Sequence, residues 1–227
     1  MSYSFDFTSL AGYAGMLWRG LWVTAGLTAV SALLGGLLGT LGAVGLRHGA
    51  AWLRAALLVY VEFMRNTPFL VQLFFIYFGL PSLGVQMPGW TAALLTMTLN
   101  LAAYQMEIVR AGFLAVGAGQ YQAALSLGLQ PMQAVRHVVL PQALAAVGPA
   151  LFGQILMMLM GSAVVSQIAV PDLAEAASFI QSRTFRPFEV YLIVTGLYLA
   201  LSLAARWLFN RVFARLAPGA RGLGARP

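Results

Sequence analysis

Between Arg19 and Arg47 the chain runs through residues 20–46 without one charged side chain. A helix needs roughly 20 predominantly apolar residues to cross a hydrocarbon core, and this stretch exceeds that length. Four more stretches qualify, at about residues 55–80, 90–116, 143–169 and 188–210. The chain is 60% hydrophobic and 8% charged, with a mean hydropathy of +0.82, where a soluble domain is about a quarter charged. A bilayer is therefore its natural solvent. The first stretch also carries Gly35, Gly39 and Ala43 at four-residue intervals, a pattern that lets a neighbouring helix approach closely.

The formal charge of +7 is the balance of six acidic residues and thirteen basic ones, all arginine and scattered or gathered at the C-terminus. They form no patch interleaved with aromatics, so nucleic acid is not the expected partner. Without cysteine there is no disulfide framework, thiolate nucleophile or thiolate metal site. His48 and His137 lie far apart with no HxxxH or paired-carboxylate companion, and neither a metal nor a cofactor is expected. The first residues have no basic start ahead of an apolar run, and Asp6 stands where a secretory signal would carry positive charge. Residues 1–19 are expected to remain as an external segment.

Orientation follows from where arginine collects, because cytoplasmic loops and ends retain Lys and Arg. With the N-terminus outside and five spans, the cytoplasmic set is Arg47, Arg54, Arg136, Arg206, Arg211, Arg215, Arg221 and Arg226. The external set is Arg19, Arg183 and Arg186. An external N-terminus and a cytoplasmic C-terminus are expected, with residues 216–227 as a basic cytoplasmic tail. Residues 171–189 then lie outside, and a short helix is expected there, with Pro171 near its start and Asp172 and Glu175 in its first turn. In the fourth span Pro141, Gly148, Pro149, Gly153 and Gly161 predict a bend.

The connection between the third and fourth spans, residues 117–142, is amphipathic. Residues 120–129 are helix-compatible, with Ala123, Ala124 and Leu127 on one side. Gly128 predicts a helix stop and Pro131 the first turn of a second helix. The unit could present a small apolar face to a soluble partner or lie on the lipid head groups. The residues alone leave both open.

Gln122, Ala123, Ala124, Gly128, Val138, Leu140 and Pro141 read Q-A-A-x3-G-x9-V-x-L-P. With Gln122 in place of the usual glutamate, this resembles the EAA loop of the membrane subunits of bacterial ATP-binding cassette (ABC) importers. YVEFMRNTPFLVQLFFIYFGLP (60–81), LNLAAYQMEIVRAGF (99–113) and SRTFRPFEVYL (182–192) resemble blocks of the polar amino acid permeases, which include histidine, glutamine, glutamate and arginine importers. The resemblance covers roughly residues 18–215.

It implies an all-α integral membrane protein of the type I ABC importer (MetI-like) permease fold in the bacterial inner membrane. The permease domain would span 20–215. The loop would be a coupling helix docked on a separate ATPase, with Gln120, Gln122, Ala123, Ala124, Gly128, Leu129 and Arg136 as its coupling residues. Glu62 with Arg65, and Glu107 with Arg110, stand at i, i+3 spacing, and each carboxylate is expected to neutralise the arginine on its own helix near the cytoplasmic gate. Where the family commonly has Lys-Asp-Thr-Ser, this chain has Met160, Gly161, Ser162 and Ala163. Gln154, Ser162, Ser166 and Gln167 are then the polar side chains left for a substrate path.

The expected function is import of a polar amino acid, with no catalysis in this chain. No GxxxxGK[ST] phosphate loop is present, so hydrolysis would fall to a cytosolic ABC ATPase dimer. An extracytoplasmic amino-acid-binding protein would deliver the substrate. A second permease subunit is expected, as a heterodimer rather than a homodimer, because the altered run at 160–163 leaves the polar groups to a partner. An autonomous channel or secondary carrier for a small polar solute is the alternative. A membrane enzyme is excluded by the want of any clustered nucleophile or acid–base set.

Overall fold

The computed structural model describes residues 5–216, and all regular structure among them is helical. A short 3-10 helix, Thr8–Tyr13, leads into α1, Ala14–His48. Then come α2, Ala51–Asn66; α3, Phe69–Ser82, with a π-turn over Phe75–Gly79; and α4, Gly89–Ala115. The short α5, Ala118–Ser126, precedes α6, Pro131–Ile168, which has a π-turn at Val135–Val139 and tightens to 3-10 geometry at Ser162–Ile168. Last are α7, Leu173–Thr184, and α8, Pro187–Leu216.

Among the described residues four helices are long and apolar enough to cross a membrane: Thr8–His48, Gly89–Ala115, Pro131–Ile168 and Pro187–Arg215. The span expected over 55–80 is not one continuous helix but two helices broken at Thr67 and Pro68. Proline has no N–H to give the preceding turn and disfavours helical geometry in the residue before it. Pro68 is extended (φ −63°, ψ 138°) and caps α3, its carbonyl accepting the N–H groups of Val71 and Gln72 at 3.0 and 3.2 Å. The buried Gln72 side chain turns back to donate to Thr67 O at 3.1 Å and Thr67 Oγ1 at 2.7 Å. The polar groups freed by the break are thus partly satisfied locally, as a low-dielectric setting demands.

The fourth expected span, 143–169, lies within α6, which begins at Pro131. Helical geometry continues through Pro149, and the departures from α-geometry fall at the two ends of α6. Among the described residues helical structure begins at Thr8, inside the expected external segment 1–19. Of the expected tail 216–227, everything after Leu216, including Arg221 and Arg226, lies outside the described residues.

The chain forms two compact units. The first comprises Met1–Leu33, Thr67–Leu99 and Leu156–Ala205. Leu10 and Leu17 are buried there against Leu173, Ala177 and Ile180 of α7 and Val190 of α8. Gly20 permits the contact: a Cβ there would stand 2.8 Å from Asp172 O and 3.0 Å from Leu173 Cα. One turn on, Thr24 Oγ1 accepts the Leu173 N–H at 3.1 Å. The short helix expected after Pro171 is therefore α7. Asp172 is its N-cap, Oδ1 accepting the Glu175 N–H at 2.8 Å.

The second unit comprises Leu34–Asn66, Asn100–Ile155 and Arg206–Pro227. Val61, Met106, Val109, Phe113 and Val139 form its apolar centre with Ala43. Gly35, Gly39 and Ala43 are all buried, as their spacing predicts. At Gly39 a Cβ would meet Ala102 O and Gln105 Cβ at 2.9 Å and Met106 N at 3.1 Å. Because two of these atoms belong to the α4 backbone, the neighbour cannot yield by a rotamer change. Gly39→Ala is expected to cost about 1–3 kcal/mol through overpacking, read as a lower thermal midpoint of the purified chain in detergent. An unchanged midpoint would show that α1 and α4 separate without penalty.

Candidate functional site

The segment between α4 and the apolar body of α6 is built from local signals. Gly117 (ψ 140°) caps α5, and the uncharged run from Ala118 to Ser126 holds helical geometry. Gly128 ends it at φ +84°, a left-handed conformation that carries no Cβ penalty only in glycine. The Leu129 N–H reaches Ala124 O at 3.2 Å and the Gly128 N–H reaches Leu125 O at 2.9 Å. These are the two bonds of a Schellman motif. Pro131 then sits at the first position of α6, where its missing N–H costs nothing. The Gln130 N–H donates to Gln133 Oε1 at 2.9 Å.

Ala124 (3% exposed), Ala134 and Val135 are buried and anchor the segment, and α5 packs against the π-turn Val135–Val139. The Tyr121 ring lies 6.4 Å from that of His48, at the end of α1. Ala123, Ala124 and Leu127, expected on one side, do not share one environment. Ala124 is buried, while Ala123 and Leu127 are exposed. Gln120, Gln122, Gly128 and Arg136 are also exposed, and Leu129 is half-buried. Leu127, at 85% exposure, and Met132, at 57%, are the two most exposed large apolar side chains of this surface. Neither was among the coupling residues expected from sequence. The available signal was a large apolar residue directly before the helix-ending glycine.

The second constellation joins α2 to α4. Arg110 donates to Glu107 through Nε (2.9 Å to Oε1) and Nη2 (2.7 Å to Oε2), the expected i, i+3 pair in bidentate form. The expected Glu62–Arg65 pair is not formed. Glu62 Oε2 instead accepts from Asn66 Nδ2 at 2.8 Å. Arg65 reaches across to Glu107 Oε2 at 3.5 Å, with its guanidinium 5.7 Å from the Tyr104 ring centroid. The reason is geometric: Asn66 lies one turn from Glu62 on the same helix, while α4 brings a second carboxylate and an aromatic face within reach of Arg65. Glu107 therefore serves two arginines.

The substrate-path candidates are dispersed in role. Ser162 is buried and donates to Leu159 O at 2.7 Å, and half-buried Ser166 donates to Ala163 O at 2.7 Å. Both hydroxyls are taken up by their own backbone in the 3-10 segment. Gln154 is half-buried and Gln167 exposed. Among the described residues no three His, Asp or Glu side chains gather as metal ligands.

Four long apolar helices, two of them linked through a solvent-exposed Schellman turn, define an integral membrane protein of the all-helical class. The family profile described as "Binding-protein-dependent transport system inner membrane component" matches residues 33–218. The chain belongs to this family of inner-membrane permease components. It is similar to the probable glutamine ABC transporter permease protein GlnM of Bacillus subtilis (strain 168), 39% identical over 152 residues, 67% of this chain and 69% of that one. It is 36% identical over 188 residues, 82% of this chain and 83% of the other, to the probable amino-acid ABC transporter permease protein YckA of the same organism. Among solved structures, an amino acid ABC transporter with histidines is similar at a TM-score of 0.84 and 37% identity, over 94% of this chain and 100% of that one.

Proposed function

We propose that the chain is the membrane-spanning permease subunit of an ABC importer for a polar amino acid, coupled to a separate ATPase through α5 and the turn at Gly128. The observation that carries this reading is the exposed Leu127 beside a backbone fixed by the Schellman motif, on a chain of this permease family. A rigid turn can transmit a displacement. A large apolar side chain in water is costly unless a partner covers it. Gln120, Gln122, Ala123, Leu129 and Arg136 surround it as contact residues, and Ala124 anchors the helix from beneath. Closure of an ATP-loaded ATPase dimer draws two such turns together and switches access of the pathway.

In this reading α2 and α3 together make one broken crossing, giving five spans with the N-terminus outside and the C-terminus cytoplasmic, as the arginine distribution favours. Glu107 with Arg65 and Arg110 ties α2 to α4 near the cytoplasmic gate. Gln154 and Gln167 remain open to the path, whereas the Ser162 and Ser166 hydroxyls are already engaged. A second permease subunit supplies the missing polar groups, and an extracytoplasmic binding protein delivers the solute. The amino acid class comes from the relatives' names.

The test is transport by the chain purified from its native membrane with the subunits that stay bound. In proteoliposomes with the binding protein outside, uptake of labelled polar amino acids is expected to require ATP at the ATPase face. Uptake by the chain alone, without ATP, would instead make it a channel or secondary carrier.

A further inference from the structure

Toward its C-terminal end α8 changes character. Trp207, Asn210, Arg211, Ala214 and Arg215 line an open groove, and their spacing puts them along one side of the last turns. The Arg211 guanidinium lies over the Trp207 indole, 5.0 Å from the ring centroid. Among the described residues no carboxylate pairs with Arg206, Arg211 or Arg215. None of the chain's six acidic residues lies beyond Glu189. Leu203, Leu208 and Val212 on the same stretch are exposed. The surface thus combines apolar side chains with unpaired guanidinium groups, and a tryptophan of the kind that settles at head-group level. An anionic amphiphile satisfies both parts at once, whereas a free anion covers only the charge.

We propose that this groove binds the phosphate of an anionic glycerophospholipid. Arg211 and Arg215 donate to the non-bridging phosphate oxygens, Asn210 donates its amide to the same head group, and Trp207 packs on the glycerol and first acyl carbons. A zwitterionic lipid brings its own cation into a groove that already holds two, so phosphatidylglycerol is preferred over phosphatidylcholine. The proposal rests on α8 crossing a membrane and not on what the protein transports.

Native mass spectrometry of the full-length chain, with the subunits that stay bound, would measure lipid affinity directly. Phosphatidylglycerol is expected to bind one site at least about fivefold more tightly than phosphatidylcholine of the same acyl length. Arg211→Gln and Arg215→Gln are each expected to weaken it about fivefold, while Arg19→Gln leaves it unchanged. Equal affinity for the two lipids, or a double Arg211→Gln, Arg215→Gln variant that binds phosphatidylglycerol as well as wild type, would overturn the proposal.

A second readout does not depend on removing charge. The chain has no cysteine, so a single Ala214→Cys reports groove occupancy through maleimide labelling. Protection by phosphatidylglycerol but not by inorganic phosphate or phosphatidylcholine is expected. Equal protection by inorganic phosphate, or full protection by bound subunits in lipid-free detergent, would assign the groove to a free anion or to a protein partner and reject the lipid.

Discussion

Leu127→Asp is expected to strip the ATPase from the purified chain and abolish ATP-dependent uptake, while the chain's own stability stays within about 0.5 kcal/mol of wild type. Leu127 is 85% exposed, so its side chain contributes little to the packing of its own fold. The backbone bonds of the turn, from the Gly128 and Leu129 N–H groups, do not involve the side chain. A carboxylate forced into an apolar docking pocket has to be desolvated without a partner. At the centre of an interface this costs at least about 2 kcal/mol, or about thirtyfold in affinity. The check is the ratio of ATPase to permease after purification, with thermal unfolding in parallel. Full retention of the ATPase would return the turn to the lipid surface. Gly128→Trp is a less discriminating probe. The glycine stands at φ +84°, where any side chain costs roughly 1–2 kcal/mol, so folding and docking would change together.

Acidification from pH 7.5 to 5 is expected to stabilise the chain, and Asp172 is the group responsible. Asp172 is fully buried, its Oδ1 caps α7, and its Oδ2 has no hydrogen-bond partner among the described residues. Burial pushes its carboxyl from the ordinary 3.8 up to about 6, against the lowering effect of the backbone N–H groups of Glu175 and Ala174, and the charge on Glu175 adds to the rise. The folded state therefore holds the proton more tightly than the unfolded chain. The stabilisation is complete below the unfolded value and is lost as pH rises through about 6.

The whole shift corresponds to about 3 kcal/mol, of which roughly half is recovered at pH 5 relative to pH 7.5. Asp172→Asn retains a capping oxygen and removes the charge. It is expected to raise the thermal midpoint at pH 7.5 and to flatten the profile between about pH 4 and 6. Parallel profiles for the two proteins would acquit Asp172 as the source.

Much of the local architecture was legible because its causes are local. Gly128 and Pro131 mark the turn through a missing Cβ and a missing N–H, and the Schellman bonds form where those residues permit them. Pro171 and Asp172 announce α7 in the same way, since the capping oxygen lies three residues from the N–H it accepts. The Gly35, Gly39 and Ala43 stripe announced a close approach, although only the packed helices show that α4 is the neighbour at Gly39.

Side-chain partners were less legible. Glu62 and Arg65 have pairing spacing, yet Asn66 takes the carboxylate and Arg65 crosses to Glu107. Pro68 was visible inside an apolar run, but apolarity cannot distinguish a kinked span from two helices. Here Gln72 satisfies the freed groups of Thr67 and supports the break. Ala123 and Ala124 are identical in chemistry, and only the packing of α5 on the π-turn buries one and exposes the other.

By itself the amino-acid sequence determined the solvent, the helical class, the stop at Gly128 and the family resemblance. Each depends on apolar length or on the backbone freedom of one or two residues. Packing decided that Arg65 answers Glu107 on another helix, and that Ala124 is buried while its neighbour Ala123 is exposed. Those outcomes depend on atoms brought together from distant parts of the chain, and residue spacing along one helix carries no record of what lies opposite it.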